Sequence, residues 1–315
     1  MTYSSMFAKF SLHQLALPLI LGLLVVGLSF ATPYFLTPQN ILNVLVASAT
    51  LGILAVGAAL VIGAGGIDLS VGAIMALAAS VAAVFGLIPD ASGIWMMALC
   101  LATGLAAGIA NGSLAAKTTL PPFIITLATM SIARGLAFIL MDGKPVYGLP
   151  EEIVFFGQGN VAGIPMPILI FALVAMVGHV LLTQTAFGRY VTAYGDNPTA
   201  LTVSGVNIPR FKLMLYGFSA LTAVLASLVF MGRLNNADPS AGMGYELTAI
   251  TAAIMGGASL SGGRTSVVGA VIGALIMGVL QNGLNLLAIP SFYQYVVTGI
   301  ALLVAVSFQH RRGHT

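Results

Sequence analysis

Charge is scarce in this sequence. Asp, Glu, Lys and Arg make up 6% of its 315 residues, against about 25% in a soluble domain. That supply cannot cover the surface of a water-soluble globule, which excludes the soluble classes. Cysteine is nearly absent as well. Cys100 stands alone, so an intrachain disulfide and a cysteine-based metal site are excluded, and the residue reads as a small apolar member of a helix. No G-x-x-x-x-G-K-[ST] occurs. Gly143-Lys144 is followed by Pro145, so the chain lacks a phosphate-cradling loop. H-E-x-x-H, G-x-S-x-G and Cys/His clusters are missing, and His13, His179, His310 and His314 are scattered. His179, within an apolar run, suits a bond between helices. No metal site and no enzyme is expected. The net charge of +3 does not signal nucleic-acid binding, because in a membrane protein the placement of charge matters more than its sum.

What is present is apolar. Hydrophobic residues reach 59%, in long runs of Leu, Ala, Val and Ile. The runs lack the alternation of a membrane β-barrel, and backbone groups in lipid must bond within their own segment. The expectation is an all-α polytopic membrane protein with about ten transmembrane helices. They fall near 14–35, 41–64, 70–89, 94–116, 122–141, 164–187, 213–233, 247–261, 266–288 and 293–309, the eighth being short. Turn signals separate them at Thr37-Pro38, Pro89-Asp90, Pro121-Pro122, Pro165-Pro167 and Pro290. The first run is too long for the apolar region of a signal peptide, about 7–15 residues, and is taken as an uncleaved span. No extramembrane stretch is large enough for a second domain, so residues 1–315 read as one transmembrane domain.

Charge placement tests the count. With both termini in the cytoplasm and spans alternating, Lys9, Lys117, Arg189, Arg210, Lys212, Arg264, Arg311 and Arg312 fall at cytoplasmic ends. Lys144 and Arg233 fall outside or at that border. The acids Asp90, Asp142, Glu151, Glu152, Asp238 and Glu246 all fall outside. This is the positive-inside pattern. Residues 142–163 then form an external segment, and 188–212 the main cytoplasmic loop. Gly65-Gly66-x4-Val71-Gly72-Ala73 is echoed by Gly262-Gly263-x4-Val268-Gly269-Ala270, which suggests an internal parallel repeat of the kind transporters use.

Candidate functional residues form three groups. In the cytoplasmic loop, Asn197-Pro198 has the pattern of an N-cap followed by Pro at the first helical position, and Gly205 is placed to end that helix. A two-turn helix over 198–204 is predicted, bounded by Gly195 and Gly205 and flanked by Arg189, Arg210 and Lys212. It is either an ordinary interfacial connector or a docking knob for a cytoplasmic partner. The second group is "GGIDLSVGA" at 65–73. Gly63, Gly65 and Gly66 oppose helix continuation, and Asp68 is expected to cap the third span by accepting a bond from the backbone near Ser70 or Val71. The third group is polar side chains within spans. Arg134 lies 12 residues past Pro122, about 18 Å deep, where an arginine must face the bundle interior or water, either in a structural ion pair or lining the pathway. Asn111, Glu246, Gln281, Asn282 and Asn285 are candidates for lining a pathway or for bonds between helices. Gly104, Gly108 and Gly112, like Gly269 and Gly273, suit close helix packing.

Several stretches, in order and correctly spaced, resemble one family. They are "GGIDLSVGA" (65–73), "LPPFIITLATMSIARGLAFIL" (120–140), "FGRYVTAYGDNPTALTVSGV" (187–206), "GYELTAITAAIMGGASLSGG" (244–263) and "NGLNLL" (282–287). The chain resembles the membrane permease subunits of bacterial ABC importers for ribose, xylose, arabinose, galactose and related sugars, over nearly its whole length. The resemblance implies an inner-membrane permease that binds no cofactor itself, with ATP and Mg on a partner ATPase subunit. It implies a periplasmic sugar-binding protein and a second permease copy, identical or a close paralogue, within membrane lipid. The loop 188–212, with Arg189, Gly195, Asn197, Pro198, Ala200, Gly205 and Arg210, would then be the coupling loop. Gly65, Gly66, Asp68, Ser70 and Gly72 would be an inner-gate signature. The chain departs from the family at Thr248, where an acid is common, at Arg264, where Gly is common, and near Asp196, where Gly or Asn is common. Which sugar is carried does not follow from these motifs. The competing class is a proton-coupled secondary transporter using Asp68 or Glu246.

Overall fold

A computed structural model describes residues 12–87, 92–290 and 292–312; Lys9, the Pro89–Asp90 turn and His314 lie outside them. The helices are α1 (Leu12–Ala31), α2 (Pro38–Gly63), α3 (Val71–Gly86), α4 (Gly93–Lys117), α5 (Pro122–Met141), α6 (Glu151–Gln158), α7 (Met166–Gln184), α8 (Ala186–Asp196), α9 (Pro198–Val203), α10 (Ile208–Leu234), α11 (Tyr245–Met255), α12 (Val267–Leu286) and α13 (Phe292–Arg312). Each of the ten expected spans has a helix. Among the described residues, α2, α4, α5, α7, α10 and α12 are long and apolar enough to cross a membrane. Two expected spans are too short to cross. α3 has 16 residues, about 24 Å, and α11 has 11, about 17 Å, against a hydrocarbon core of about 30 Å. Both are half-helices beside a glycine-rich break, the discontinuous form that transporters place at their pathways.

α2 is the axis of the bundle. Of its apolar window 83% is buried, against 22% for α5, and α7, α10, α11 and α12 pack around it. α4 lies along α10, and α3 is wedged between α4 and α5. The closeness of α4 to α10 follows from the expected glycine stripe. A Cβ at Gly104 would strike Val224, one at Gly108 would strike Ala220, and one at Gly112 would press on the Leu213 backbone. Gly269 and Gly273 do the same for α12 against Ala252 of α11 and Gly256 just past its end.

The 142–163 segment is more structured than a Gly/Pro-rich loop suggests. Strand β1 (Val146–Tyr147) pairs antiparallel with β4 (Asn236–Ala237), and β2 (Asn160–Val161) pairs with β3 (Ile164–Pro165). α6 lies between them and packs on α10, where Gly157 and Gly232 bring the two backbones together. At the opposite end of the bundle lie the breaks 64–70 and 256–266 and the 185–207 segment.

Candidate functional site

The α2 break is built by local rules. Gly65 N–H donates to Ile62 O at 2.8 Å and Gly66 N–H to Val61 O at 2.9 Å, with Gly65 at φ +74°. This is the Schellman closure, with glycine in the left-handed position that other residues enter at a cost. α11 ends the same way: Gly257, at φ +96°, donates to Ile254 O at 2.9 Å and Ala258 N–H to Ala253 O at 3.0 Å. The sequence echo therefore marks a shared device but pairs the wrong glycines. Gly65 and Gly66 close a helix, whereas Gly262 and Gly263, both at positive φ, turn the loop that follows.

Asp68 sits in the first break, 3% exposed. Its Oδ1 accepts from the Ser70 N–H at 2.9 Å and from the Ser70 hydroxyl at 2.5 Å, and its Oδ2 accepts from the Ser219 hydroxyl of α10 at 2.7 Å. The expected bond to the Ser70 backbone is present. The capping position itself belongs to Ser70, so Asp68 anchors the residue that begins α3 from two positions upstream. The network continues: Asn111 of α4 donates to Ser70 Oγ at 2.9 Å, and Thr129 of α5 donates to Asn111 Oδ1 at 2.6 Å. Thr126 accepts from Leu69 N–H at 3.2 Å and donates to Ile67 O at 3.0 Å. One carboxylate and five side chains, Ser70, Asn111, Thr126, Thr129 and Ser219, thus tie the break to α4, α5 and α10. Asn111 is fully buried, with both ends of its amide bonded.

Next to this network the 185–207 segment meets both breaks. Gly263 N–H donates to Gly63 O at 3.0 Å, and Thr265 donates to Ala59 O at 2.7 Å. Gly195, in the last turn of α8, lies against them so closely that a Cβ would overlap Gly63 O and Gly263 N. Past it, α9 forms over Pro198–Val203 as expected. The Asn197 side chain caps it by accepting from Ala200 N–H at 2.9 Å, Pro198 stands at its first position, and Gly205 leaves it at φ +81°. Leu201 turns inward at 8% exposure while Val203 is 80% exposed. Arg189 and Arg210 are exposed. Lys212 donates to Ala115 O at 2.6 Å and lies 5.5 Å from the Tyr194 ring centroid. It lines a cavity of about 300 Å³ with Gly65, Tyr194, Pro198, Tyr216 and Ser261.

A second polar cluster forms where the first turns of α3 and α11 meet. Glu246 Oε1 accepts from Gly244 N–H at 3.2 Å. Its Oε2 is shielded from solvent and has no hydrogen-bond partner. That oxygen occupies the space over Gly72, where a Cβ would collide with it and with Gly242 O. Arg134 donates to Pro239 O at 2.9 Å and Ala241 O at 2.7 Å, holding the turn that leads into α11, within the field of Glu246 and Asp238. Helix N-termini carry a partial positive charge, so two of them and Arg134 surround one under-bonded carboxylate.

The amides of α12 are elsewhere. Asn282 and Asn40 of α2 exchange hydrogen bonds at 2.9 and 3.1 Å, and Asn285 accepts from Gln294 of α13 at 2.8 Å. Neither bonds to Asn111, Arg134 or Glu246, and Gln281 is half-buried. Sequence reasoning missed Ser219, Thr126, Thr129 and the space-making part of Gly72. Only the last had a signal, a glycine one residue inside a helix.

The family described as branched-chain amino acid transport system, permease component, matches residues 40–306. The chain is 44% identical over 294 residues to the ribose import permease protein RbsC of Bacillus subtilis (strain 168), covering 93% of this chain and 91% of that protein. It is 39% identical over 279 residues to the D-allose transport system permease protein AlsC of Escherichia coli (strain K12), covering 89% and 86%. It is 35% identical over 302 residues to the L-arabinose ABC transporter permease protein AraH of Azospirillum brasilense, covering 96% and 89%.

Proposed function

Because this chain belongs to the family of transport-system permease components, we propose that it is the membrane subunit of an ATP-driven importer for a monosaccharide. Hydrolysis takes place in a partner ATPase, which binds the ATP and Mg, and a periplasmic binding protein delivers the sugar. The relatives named for ribose, allose and arabinose support a sugar as cargo. The whole of 1–315 acts as one transmembrane domain in the bacterial inner membrane, with both termini in the cytoplasm. It pairs with a second copy, identical or closely related. A proton-coupled carrier built on Asp68 is disfavoured by its bonding, since three donors already occupy the carboxylate.

The observation that carries this reading is the seat of Gly195. α9 is an exposed, capped helix, and Gly195, two residues before its cap, touches both breaks at once. ATPase closure against α9, with Arg189, Ala200, Gly205 and Arg210 around it, moves the α2 break and the α11–α12 break together. The Asp68 network passes that displacement to α3, α4, α5 and α10. α3 and α11 then change their mutual angle at Gly72, Glu246 and Arg134, where the sugar passes. This is alternating access, with solute affinity residing in the binding protein.

The test is uptake by reconstituted permease, ATPase and binding protein. ATP-dependent entry of a sugar is expected. Sugar movement by the permease alone on a proton gradient would overturn the reading. The binding protein that co-purifies, screened by thermal shift against pentoses, hexoses and branched-chain amino acids, identifies the cargo.

A further inference from the structure

A second cavity opens behind α9, separate from the glycine junction. Its volume is about 450 Å³, and its walls come from α8, from the 204–207 turn and from the first two turns of α10. One end is polar. Arg210 stands there in the first turn of α10, exposed, with Ser204 and Asn207 alongside. Lys144–Asp142 is the one ion pair among the described residues, so the Arg210 guanidinium has no carboxylate partner. Asp196 is the only acid between 186 and 214, against Arg189, Arg210 and Lys212. The start of a 27-residue helix adds its own partial positive charge.

The other end is apolar and aromatic. Phe187 and Phe211 form the floor, with ring centroids 5.8 Å apart, and Tyr190 meets Phe211 edge-on at 6.4 Å. Met214, 59% exposed, continues that floor along the outward face of α10. A free cation at one end and an apolar slot leading onto a membrane-spanning helix match an amphiphile with an anionic head. Basic pockets between spans on the cytoplasmic side bind such headgroups.

We propose that this cavity holds the headgroup of an anionic phospholipid, its phosphate on Arg210 and its glycerol and upper acyl chain against Phe187, Phe211 and Met214. The inference rests on the reading that the 185–207 end lies at the cytoplasmic leaflet. A lipid seated there braces the 204–207 turn that joins α9 to α10, so the docking helix pushes against a filled pocket.

The experiment uses the assembled permease–ATPase complex in vesicles of phosphatidylcholine with or without phosphatidylglycerol. Native mass spectrometry after extraction counts retained lipid. Wild type is expected to retain phosphatidylglycerol over phosphatidylcholine. Arg210→Gln lowers that preference about fivefold, the scale of one basic contact, and Arg210→Lys restores most of it. Arg189→Gln, which removes the same charge outside the cavity, leaves it in place. Equal loss in the Arg189 and Arg210 variants would reduce the effect to general surface charge and overturn the site. A second measurement does not depend on Arg210: Cys100 is buried, so Met214→Cys can carry a photoactivatable probe. A phosphatidylglycerol adduct supports the proposal, and an adduct with the ATPase replaces the lipid with the partner protein. ATP-driven uptake in the same vesicles reports on the transport reading separately. A complex that transports without retaining lipid loses only the lipid site, and one that retains lipid without transporting loses only the transport reading.

Discussion

Asp68 and Glu246 stand in comparable places, each at the N-terminal end of a half-helix, yet they are bonded in opposite ways. Both oxygens of Asp68 are occupied by donors from Ser70 and Ser219. Glu246 accepts from Gly244 N–H, while its other oxygen is shielded from water and has no hydrogen-bond partner. A buried polar group that is fully paired fixes one geometry, while one left short has its desolvation cost outstanding and gains from any state that supplies a donor. In the proposed cycle the contrast separates scaffold from moving part. Asp68 ties the α2 break to Ser70 and, on α10, to Ser219, whereas Glu246 over Gly72 keeps an unbonded oxygen for a new partner in the proposed movement of α3 against α11.

The contrast is broken most directly at Asp68. Asp68→Ala strands the Ser70 N–H and two hydroxyl donors at a fully buried site. The cost is about 3–5 kcal/mol, read as a large fall in the thermal unfolding midpoint in mild detergent, with uptake lost alongside. Asp68→Asn keeps an acceptor and recovers part of it. A midpoint unmoved by Asp68→Ala would remove Asp68 from the scaffold. Gly195→Ala comes next. Its methyl group would meet the Gly63 and Gly263 backbones, and such overpacking costs about 1–3 kcal/mol. Uptake is expected to fall more than stability, because the displaced contact joins the α8 end that leads into α9 to both breaks. Full ATP-driven uptake in this variant would sink the coupling role of the junction.

Much of this was legible before any coordinates. Ten apolar runs became ten helices, and Asn197, Pro198 and Gly205 bounded α9 as expected, because capping and apolar periodicity are local chemistry. The Asp68–Ser70 bond was legible for the same reason. Ser219 was not, since it lies 151 residues along the chain, and a lone serine in an apolar helix carries no mark of its partner. Of the two roles open to Asn282, pathway lining or a bond between helices, it takes the second, with Asn40, 242 residues away; an amide within a span looks alike in either part. The half-helices were half-seen. The shortness of α11 was readable, but α3 was expected over 70–89 and has 16 residues, and the meeting of their first turns at Gly72 depends on how α3 and α11 pack.

Asn197→Ala removes a side-chain cap from an exposed six-residue helix. The expected cost is about 1 kcal/mol, confined to α9, so the unfolding midpoint of the bundle moves little. Affinity for the ATPase, measured by co-purification or by stimulation of ATP hydrolysis, drops by about fivefold. An unchanged affinity would make α9 a connector.

Glu246→Gln gives the smallest stability effect and sharpens the comparison furthest. The amide oxygen can still accept from Gly244 N–H, and its nitrogen takes the space of an oxygen that had no partner, so nothing bonded is lost. The unfolding midpoint is expected to move far less than in Asp68→Ala, because no hydrogen bond is lost. The charge opposite Arg134 is removed, however, and with it the attraction that favours one arrangement of the α11 turn. Uptake at saturating binding protein is expected to fall about tenfold, equivalent to about 1.4 kcal/mol in the barrier. A destabilisation as large as that of Asp68→Ala would show that Glu246 is bonded scaffold after all, and the division between the two carboxylates would collapse. Unchanged stability together with unchanged uptake would leave Asp68 as scaffold and take Glu246 out of the moving part.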